Sequence, residues 1–528
     1  MMIKIKDIKI NIDNDNESHL INKIASLLNI KKEDILDYKI NKKSIDARDK
    51  NNILYVYEII LNITNEENIL KKNYKNVTKY NEEKYIFNIT GTNKLDTRPV
   101  IVGAGPCGLF IAYILSKYGY NPIILERGEK IEDRVKSVEK FWTEGNLNEE
   151  SNIQFGEGGA GTFSDGKLNT LSKNENHRQE FVFETFVKHG APKEILYENK
   201  PHIGTDKLRS VIKNMREEII SLGGEFLYNS KLTDINIEKG VLKSIVINDK
   251  EIIPCKVLFL AIGHSARDTY KMLYNKGINL ASKPFAVGVR IIHNREDIDR
   301  AMHGDAYKKL KSASYKLTYK ASNGKGVYSF CMCPGGYVVN ASSKNGFTCV
   351  NGMSDYKRDS NSSNSGIVVT VNEKDYGSNL FDGMNFQDTL EKNAYNLAKG
   401  KVPIQKYIDY KNNNITSSFG NIIPEIKGLY EFNDLNKIFN KEINDSIREA
   451  IDYFGTKIKG FDNPDSILAG VESRTSSPLK IIRDEYFESN IKGIYPCGEG
   501  AGYAGGITTA AMDGLKAAEE FAKKYNPN

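Results

Sequence analysis

The chain has 528 residues, 40% apolar and 27% charged, with 74 Lys and Arg against 68 Asp and Glu. At roughly 100–200 residues per domain this is two to four domains with ample core, which excludes a small stapled scaffold. A formal charge of +6 over that length is mild and mixed, so nucleic acid is not an expected partner. Six cysteines, at 107, 255, 331, 333, 349 and 497, are too sparse for a disulfide framework and point to a reducing compartment. No CxxC pair exists, so zinc ribbons are excluded and no metal is expected. Lys4 and Lys6 break the N-terminal apolar run, and no stretch nears the roughly 18 uncharged apolar residues of a membrane span. The expectation is a cytoplasmic protein without a membrane partner.

Residues 1–95 contain no proline and one glycine, Gly91, and read as a separate small α+β module, ferredoxin-like in outline. Ile3–Ile10 alternates as a half-buried strand does, Leu20–Leu28 has helical spacing, and Ile53–Ile63 is a second strand-like run. The basic stretch Lys42–Arg48 reads either as an RNA or protein docking face or as an edge strand guarded by lysines. From Pro99 the pattern changes to Val100-Ile101-Val102, glycines, a helix over 109–118 and a strand Ile123–Leu125, which is a βαβ unit. A helix over 207–222 and a buried strand over 257–261, ending at Gly263, continue it. Between 275 and 465 the chain turns to alternating strands (286–292, 327–333, 336–341, 367–371) and then a helical part. The Ser/Asn-rich 359–366 reads as a low-complexity patch. Strand, glycine turn and helix return after 466. The expected architecture is α/β: a doubly wound Rossmann-type domain in two parts, 96–274 and 466–528, with an inserted α+β substrate domain at 275–465.

Gly103-Ala104-Gly105-Pro106-Cys107-Gly108 is a GxGxxG fingerprint between a strand and a helix. Gly103 permits the tight turn, Gly105 admits a pyrophosphate to the backbone, and Gly108 lets helix pack on strand, while the helix N-terminus favours phosphate. Glu126, 18 residues past Gly108 at a strand end, is placed to accept hydrogen bonds from an adenosine ribose. A second strand–glycine turn, Gly493–Gly500 with Gly498 and Glu499, is followed by Gly505-Gly506 and a small-residue helix from Ile507. This pairing resembles the two-motif flavoprotein superfamily typified by glutathione reductase. The resemblance implies FAD, with an acid at the ribityl chain and a helix N-terminus at the flavin pyrimidine; that family usually has Asp where Glu499 stands.

Nearly the whole chain also resembles a bacterial family of FAD-dependent dehydrogenases of uncharacterised substrate. The likeness is carried by Lys43–Arg48, Phe155–Leu168, Tyr328–Gly336 and Asn351-Gly352-Met353-Ser354. It is more distantly similar to the electron-transfer flavoprotein–ubiquinone oxidoreductase and geranylgeranyl reductase group, without the iron–sulfur cysteines of the former. The glycine-rich loop 156–167, with Gly158 and Gly159, lets main chain approach a flat ring. Lys167 on that loop would stabilise negative charge on reduced flavin, or it meets solvent at the mouth of the site.

Arg127 and Arg134 flank the cofactor strand within reach of a pyrophosphate. Arg290, His293 and Arg474 are candidates for binding a substrate anion. His264 is a candidate general base or a loop cap. Cys331 and Cys333 share one face of a strand; the Pro-Gly-Gly bend after Cys333 makes it the thiol expected nearer the flavin, against a plain packing role. Cys107 and Cys497 are expected to pack. The function expected is an FAD-dependent oxidoreductase passing a hydride between a small-molecule substrate and flavin N5. No separate nicotinamide fingerprint exists, so NAD(P)H as electron donor would dock directly on the flavin. The alternatives are a flavin-dependent RNA-modifying protein and a non-catalytic flavin sensor or assembly factor.

Overall fold

Alternation in the first strand, β1 (Met2–Asn11), is interrupted once, and the interruption is productive. A bulge between Ile5 and Ile8 resets the register, so Ile3, Ile5, Ile8 and Ile10 all enter one core. The computed structural model describes residues 2–170 and 172–527. Helix α1 (Glu17–Leu28) starts where the Asn16 side chain accepts the His19 N–H at 3.0 Å, and Leu20, Ile24 and Leu28 bury its inner face. Strands β2 (Ile35–Asp46) and β3 (Leu54–Ile63), helix α2 (Glu66–Lys71) and β4 (Val77–Tyr80) follow. The sheet order is β2-β3-β1-β4, antiparallel throughout.

The basic stretch begins on the outer strand β2 and runs two residues past its end at Asp46. Its edge is not left to solvent: Lys43 donates its N–H to Tyr197 O at 2.7 Å, and Asn199 donates to Lys43 O at 2.9 Å. The Lys43 ammonium pairs with Asp15 at 2.6 Å over the Tyr55 ring. The first sheet ends at Tyr80, short of the expected boundary at 95. Phe87 and Leu95 are buried in the core of the next unit, beside the helix Pro106–Lys117, and Thr90 and Gly91 donate to Ala522 O.

That next unit is built on a parallel sheet ordered Ile494–Pro496, Leu258–Leu260, Val100–Val102, Ile123–Leu125, Glu225–Leu227. Val100–Val102 and Leu258–Leu260 are buried throughout, as parallel strands covered on both faces must be. The helices Pro106–Lys117 and Ile507–Ala522 pack on each other and both begin at the carboxyl ends of strands. The third unit is a seven-stranded sheet whose centre is Ser362–Val371, Phe285–Asn294 and Ile467–Glu472. It therefore extends past the expected boundary at 465. The patch read as low complexity also changes character: Ser362, Ser363, Asn364 and Ser365 are buried strand residues paired with Phe285–Asn294.

Candidate functional site

A cavity of about 380 Å³ opens at the carboxyl end of the parallel sheet, lined from both large sheets, within the size range of small-molecule sites. Gly103 has φ +102, and a Cβ there would lie 2.3 Å from Ala261 O. A Cβ on Gly108 would lie 1.9 Å from Gly103 O, so Gly108 serves helix packing and does not line the cavity. Gly105 is different: an added Cβ would meet only Gly159 Cα, at 3.7 Å. Gly105, Pro106 and Gly159 line the cavity, and Pro106 opens the helix at a position where no N–H is needed. Glu126 is 5% exposed, and its carboxylate accepts N–H bonds from Ala104 and Gly128 at 2.9 Å and Gly156 at 3.0 Å. A carboxylate accepts about four such bonds, so one acceptor position remains for a ligand hydroxyl.

Arg127 lines the cavity but is held by Glu150 at 2.6 Å and Asp268 at 3.0 Å. Arg134 corrects its sequence reading. It is fully buried and donates to the carbonyls of Asn152, Ile153, Gly156, Glu157 and Gly159. Each of its three nitrogens is engaged by these carbonyls and the side chain lies off the cavity, so it shapes the glycine loop and is not presented to a pyrophosphate. Gly158 lies behind the loop, off the cavity, where a Cβ would strike Thr162.

At the second motif Gly498 packs against Cys107, also off the cavity. Gly263, Glu499, Gly505, Gly506 and Ile507 line it, and a Cβ on Gly505 would meet nothing within 4 Å. Burial raises the pKa of Glu499, but the imidazole of His264, with Nδ1 at 2.9 Å, and Lys283 outweigh it and hold the carboxyl below the usual range. His264 Nε2 is buried and without a hydrogen-bond partner. Arg474 also lines the cavity. It is bidentate to Glu391, at 2.9 and 2.8 Å, and bonds Ser265 and Ser343, so four of its five N–H groups are used. Open glycine faces at two helix N-termini, with one free acceptor on Glu126, fit a dinucleotide such as FAD.

The opposite end is built of charged side chains. Asp165, 1% exposed, accepts Arg358 Nε at 2.9 Å, a second Arg358 N–H and the Ser354 hydroxyl. Lys167 Nζ stands 3.1 Å from Asp165 Oδ2 without a well-directed hydrogen bond. Burial depresses its pKa, but Asp165, Cys333 and Cys331 more than compensate and the ammonium is retained. Burial also opposes the Asp165 charge, which Lys167 and Arg358 restore, so its carboxyl stays far below the usual range. Arg358, Ser354 and the buried His202, whose ring stacks on Tyr356, received no role from sequence. Ser354 was within reach, since it closes the motif Asn351–Ser354; Arg358 and His202 carried no signal.

Arg290 and His293 are likewise corrected. Arg290 is fully buried off the cavity, held by Glu472 and Asn364, each at 2.6 Å, and by Asn351 and Cys331 O, each at 3.2 Å. It orders the wall and is not free for a substrate anion. His293 Nε2 bonds Phe461 O at 2.7 Å, and burial lowers its pKa to about 4. It is a neutral core residue.

The cysteines are reversed relative to expectation. Phe330 pairs with Gly366 but Cys333 with Asn364, so the strand Gly326–Cys333 holds one extra residue. Consecutive residues Phe330 and Cys331 therefore both line the cavity, while Cys333 is 0% exposed and lies off it.

Residues 284–475 match the family described as FAD-dependent protein, C-terminal domain-like, and residues 2–62 match a domain of unknown function. An uncharacterized protein of Clostridium beijerinckii (strain ATCC 51743 / NCIMB 8052) is 46% identical over 534 residues, covering 100% of this chain and 99% of its own. The chain belongs to the same family as that protein. Among solved structures, glycine oxidase from Geobacillus kaustophilus aligns at 9% identity over 81% of this chain and 95% of its own, with a TM-score of 0.37. L-proline dehydrogenase from P. horikoshii aligns at 13% identity over 81% and 93%, with a TM-score of 0.33. No helix among the described residues is long and apolar enough to cross a membrane.

Proposed function

We propose that the chain is an FAD-dependent oxidoreductase acting on a small-molecule substrate in the cytoplasm. In this reading the parallel sheet is a doubly wound nucleotide domain, the seven-stranded sheet an inserted substrate domain, and the first eighty residues a ferredoxin-like appendage. The observation that carries it is the cavity's continuity from the open glycine cradle at two helix N-termini to the buried charges around Lys167. The matched family's description as FAD-dependent supports the choice of nucleotide.

Gly105 and Gly159 would let backbone close on a pyrophosphate, Glu126 would take one ribose hydroxyl, and Glu499 with Gly505 and Gly506 would hold the second end. FAD, when bound, supplies a hydride acceptor that amino-acid side chains lack. Lys167, ionised and backed by Asp165, would stabilise negative charge developing beside it. His264 Nε2, unpartnered on the cavity wall, is the atom at which a substrate proton can be held. The RNA-modifying reading is the weaker one, because Lys43 is paired with Asp15 and its strand edge is taken by Tyr197 and Asn199. NAD(P)H docking on the cavity remains compatible as an electron supply. The protein purified from cells should be yellow and release one non-covalent FAD per chain; FMN, or no flavin, overturns the reading.

A further inference from the structure

The charged end of the cavity presents a thiol that flavin binding does not require. The extra residue in Gly326–Cys333 falls at Cys331, whose φ is +41, so the strand kinks there. In a regular strand the Cα atoms of residues i and i+2 stand about 6.6 Å apart, near the upper limit of about 6.8 Å that a disulfide spans. The kink folds Cys333 back on its neighbour, its thiol donating to Cys331 O at 3.3 Å, and each thiol acts electrostatically on the other. Their surroundings are unequal: Cys331 opens on the cavity and Cys333 is sealed behind it. Lys167 and Arg290 face the pair as cations, Asp165 and Glu472 as anions, and Tyr315 approaches Cys333. Arg358 stands behind Asp165.

We propose that Cys331 and Cys333 form a redox dithiol opening on the cavity, with Cys331 the attacking sulfur, Cys333 the resolving one, and small-molecule disulfides the substrate class. The proposal rests on the flavin reading only for the source of electrons that would restore the dithiol. The charges agree with the assignment: the Cys333 thiol, then Lys167 and Arg290, hold the Cys331 thiol well below its usual range, whereas Cys333 is pushed up. The Cys331 thiolate attacks one sulfur of the external disulfide; that S–S bond breaks, a mixed disulfide forms, and the departing thiolate takes up the proton Cys331 had lost on ionising. Cys333 then attacks Cys331 Sγ and releases the second thiolate, which takes the Cys333 proton. The external disulfide gains two electrons and the pair loses two.

The test is the reaction of the native full-length protein with 5,5′-dithiobis(2-nitrobenzoate), read by released thionitrobenzoate and by peptide mass. Cys107, Cys255, Cys349 and Cys497 are buried and should react slowly. The expected result at pH 6 is a fast phase releasing two thiolates per chain, with the 331–333 peptide two hydrogens lighter and carrying no adduct. Cys333→Ser should release one and retain a mixed disulfide on Cys331. Cys331→Ser, and independently Cys331→Ala, should slow the fast phase at least tenfold. A stable adduct on Cys331 in the wild type, or a fast phase unchanged by both Cys331 variants, overturns the proposal. Disulfide formation in a protein that carries no flavin would sustain it while sinking the flavin reading; inert thiols in a yellow protein would do the reverse.

Discussion

The two ends of the cavity are made of different material. The nucleotide end is backbone: Gly103, Gly105, Gly159 and Gly505 are absent side chains, and even the acid Glu126 is mostly engaged by N–H groups. The far end is side-chain charge drawn from distant segments: Asp165 and Lys167 line it, and Arg358 and the Arg290–Glu472 pair are buried behind them. A backbone site fails by being filled, whereas a charge site fails by being unbalanced, and substitutions separate the two.

The largest effect is expected at the backbone end. Gly105→Val places its side chain in open cavity, so flavin content should fall at least tenfold with the far-ultraviolet circular dichroism unchanged. Loss of fold together with flavin would mean that Gly105 serves packing, as Gly108 does. At the charged end Asp165→Asn leaves Arg358 and Lys167 without their counter-ion, and breaking a buried pair from one side costs about 3–5 kcal/mol. Urea unfolding should register that loss, and a cost under about 1 kcal/mol would show that water reaches the cluster.

His202 sharpens the same contrast through pH. Burial, then Arg358, lowers its pKa from 6.5 to about 4. Between those values the unfolded chain takes a proton that the folded one declines. Its contribution to stability is therefore complete above about pH 6.5 and is lost as pH falls towards 4, by about 1.4 kcal/mol per unit. His202→Gln should flatten that slope in unfolding measured from pH 7 to pH 4; an unaltered slope would place its origin elsewhere. The smallest effect is expected at the rim. Glu150 and Asp268, the partners of Arg127, are nearly half exposed, so Arg127→Ala should cost under about 1 kcal/mol and leave flavin content within about twofold. A loss like that of Gly105→Val would make Arg127 a pyrophosphate ligand.

The same difference in material explains what could be read from the chain. Gly103 to Gly108 is a local constraint on backbone, so six consecutive letters carry it. The charged end joins residues 165, 290, 358 and 472, and nothing in the local pattern around Arg290 distinguishes a free anion-binding guanidinium from one already paired with Glu472. The cysteines were misordered because alternation of period two holds only without bulges, and the extra residue before Cys333 reverses the parity. Ser362–Ser365 lack apolar residues, yet they pair with Ile291–Asn294 inside the sheet, where Asn364 accepts a bond from the buried Arg290. The module boundary was missed because Phe87 lies in an extended segment without periodicity, and only its burial beside Pro106–Lys117 assigns it to the next unit.

In the proposed function the flavin ring meets the charged end while the nucleotide meets the glycines. The most direct check is the midpoint potential of the bound flavin in wild type and in Lys167→Met, each at equal FAD content. Removing the ammonium should make the potential more negative by roughly 30 mV or more, which corresponds to about 1.4 kcal/mol for a two-electron couple. Equal potentials, with FAD retained in both, would contradict the account.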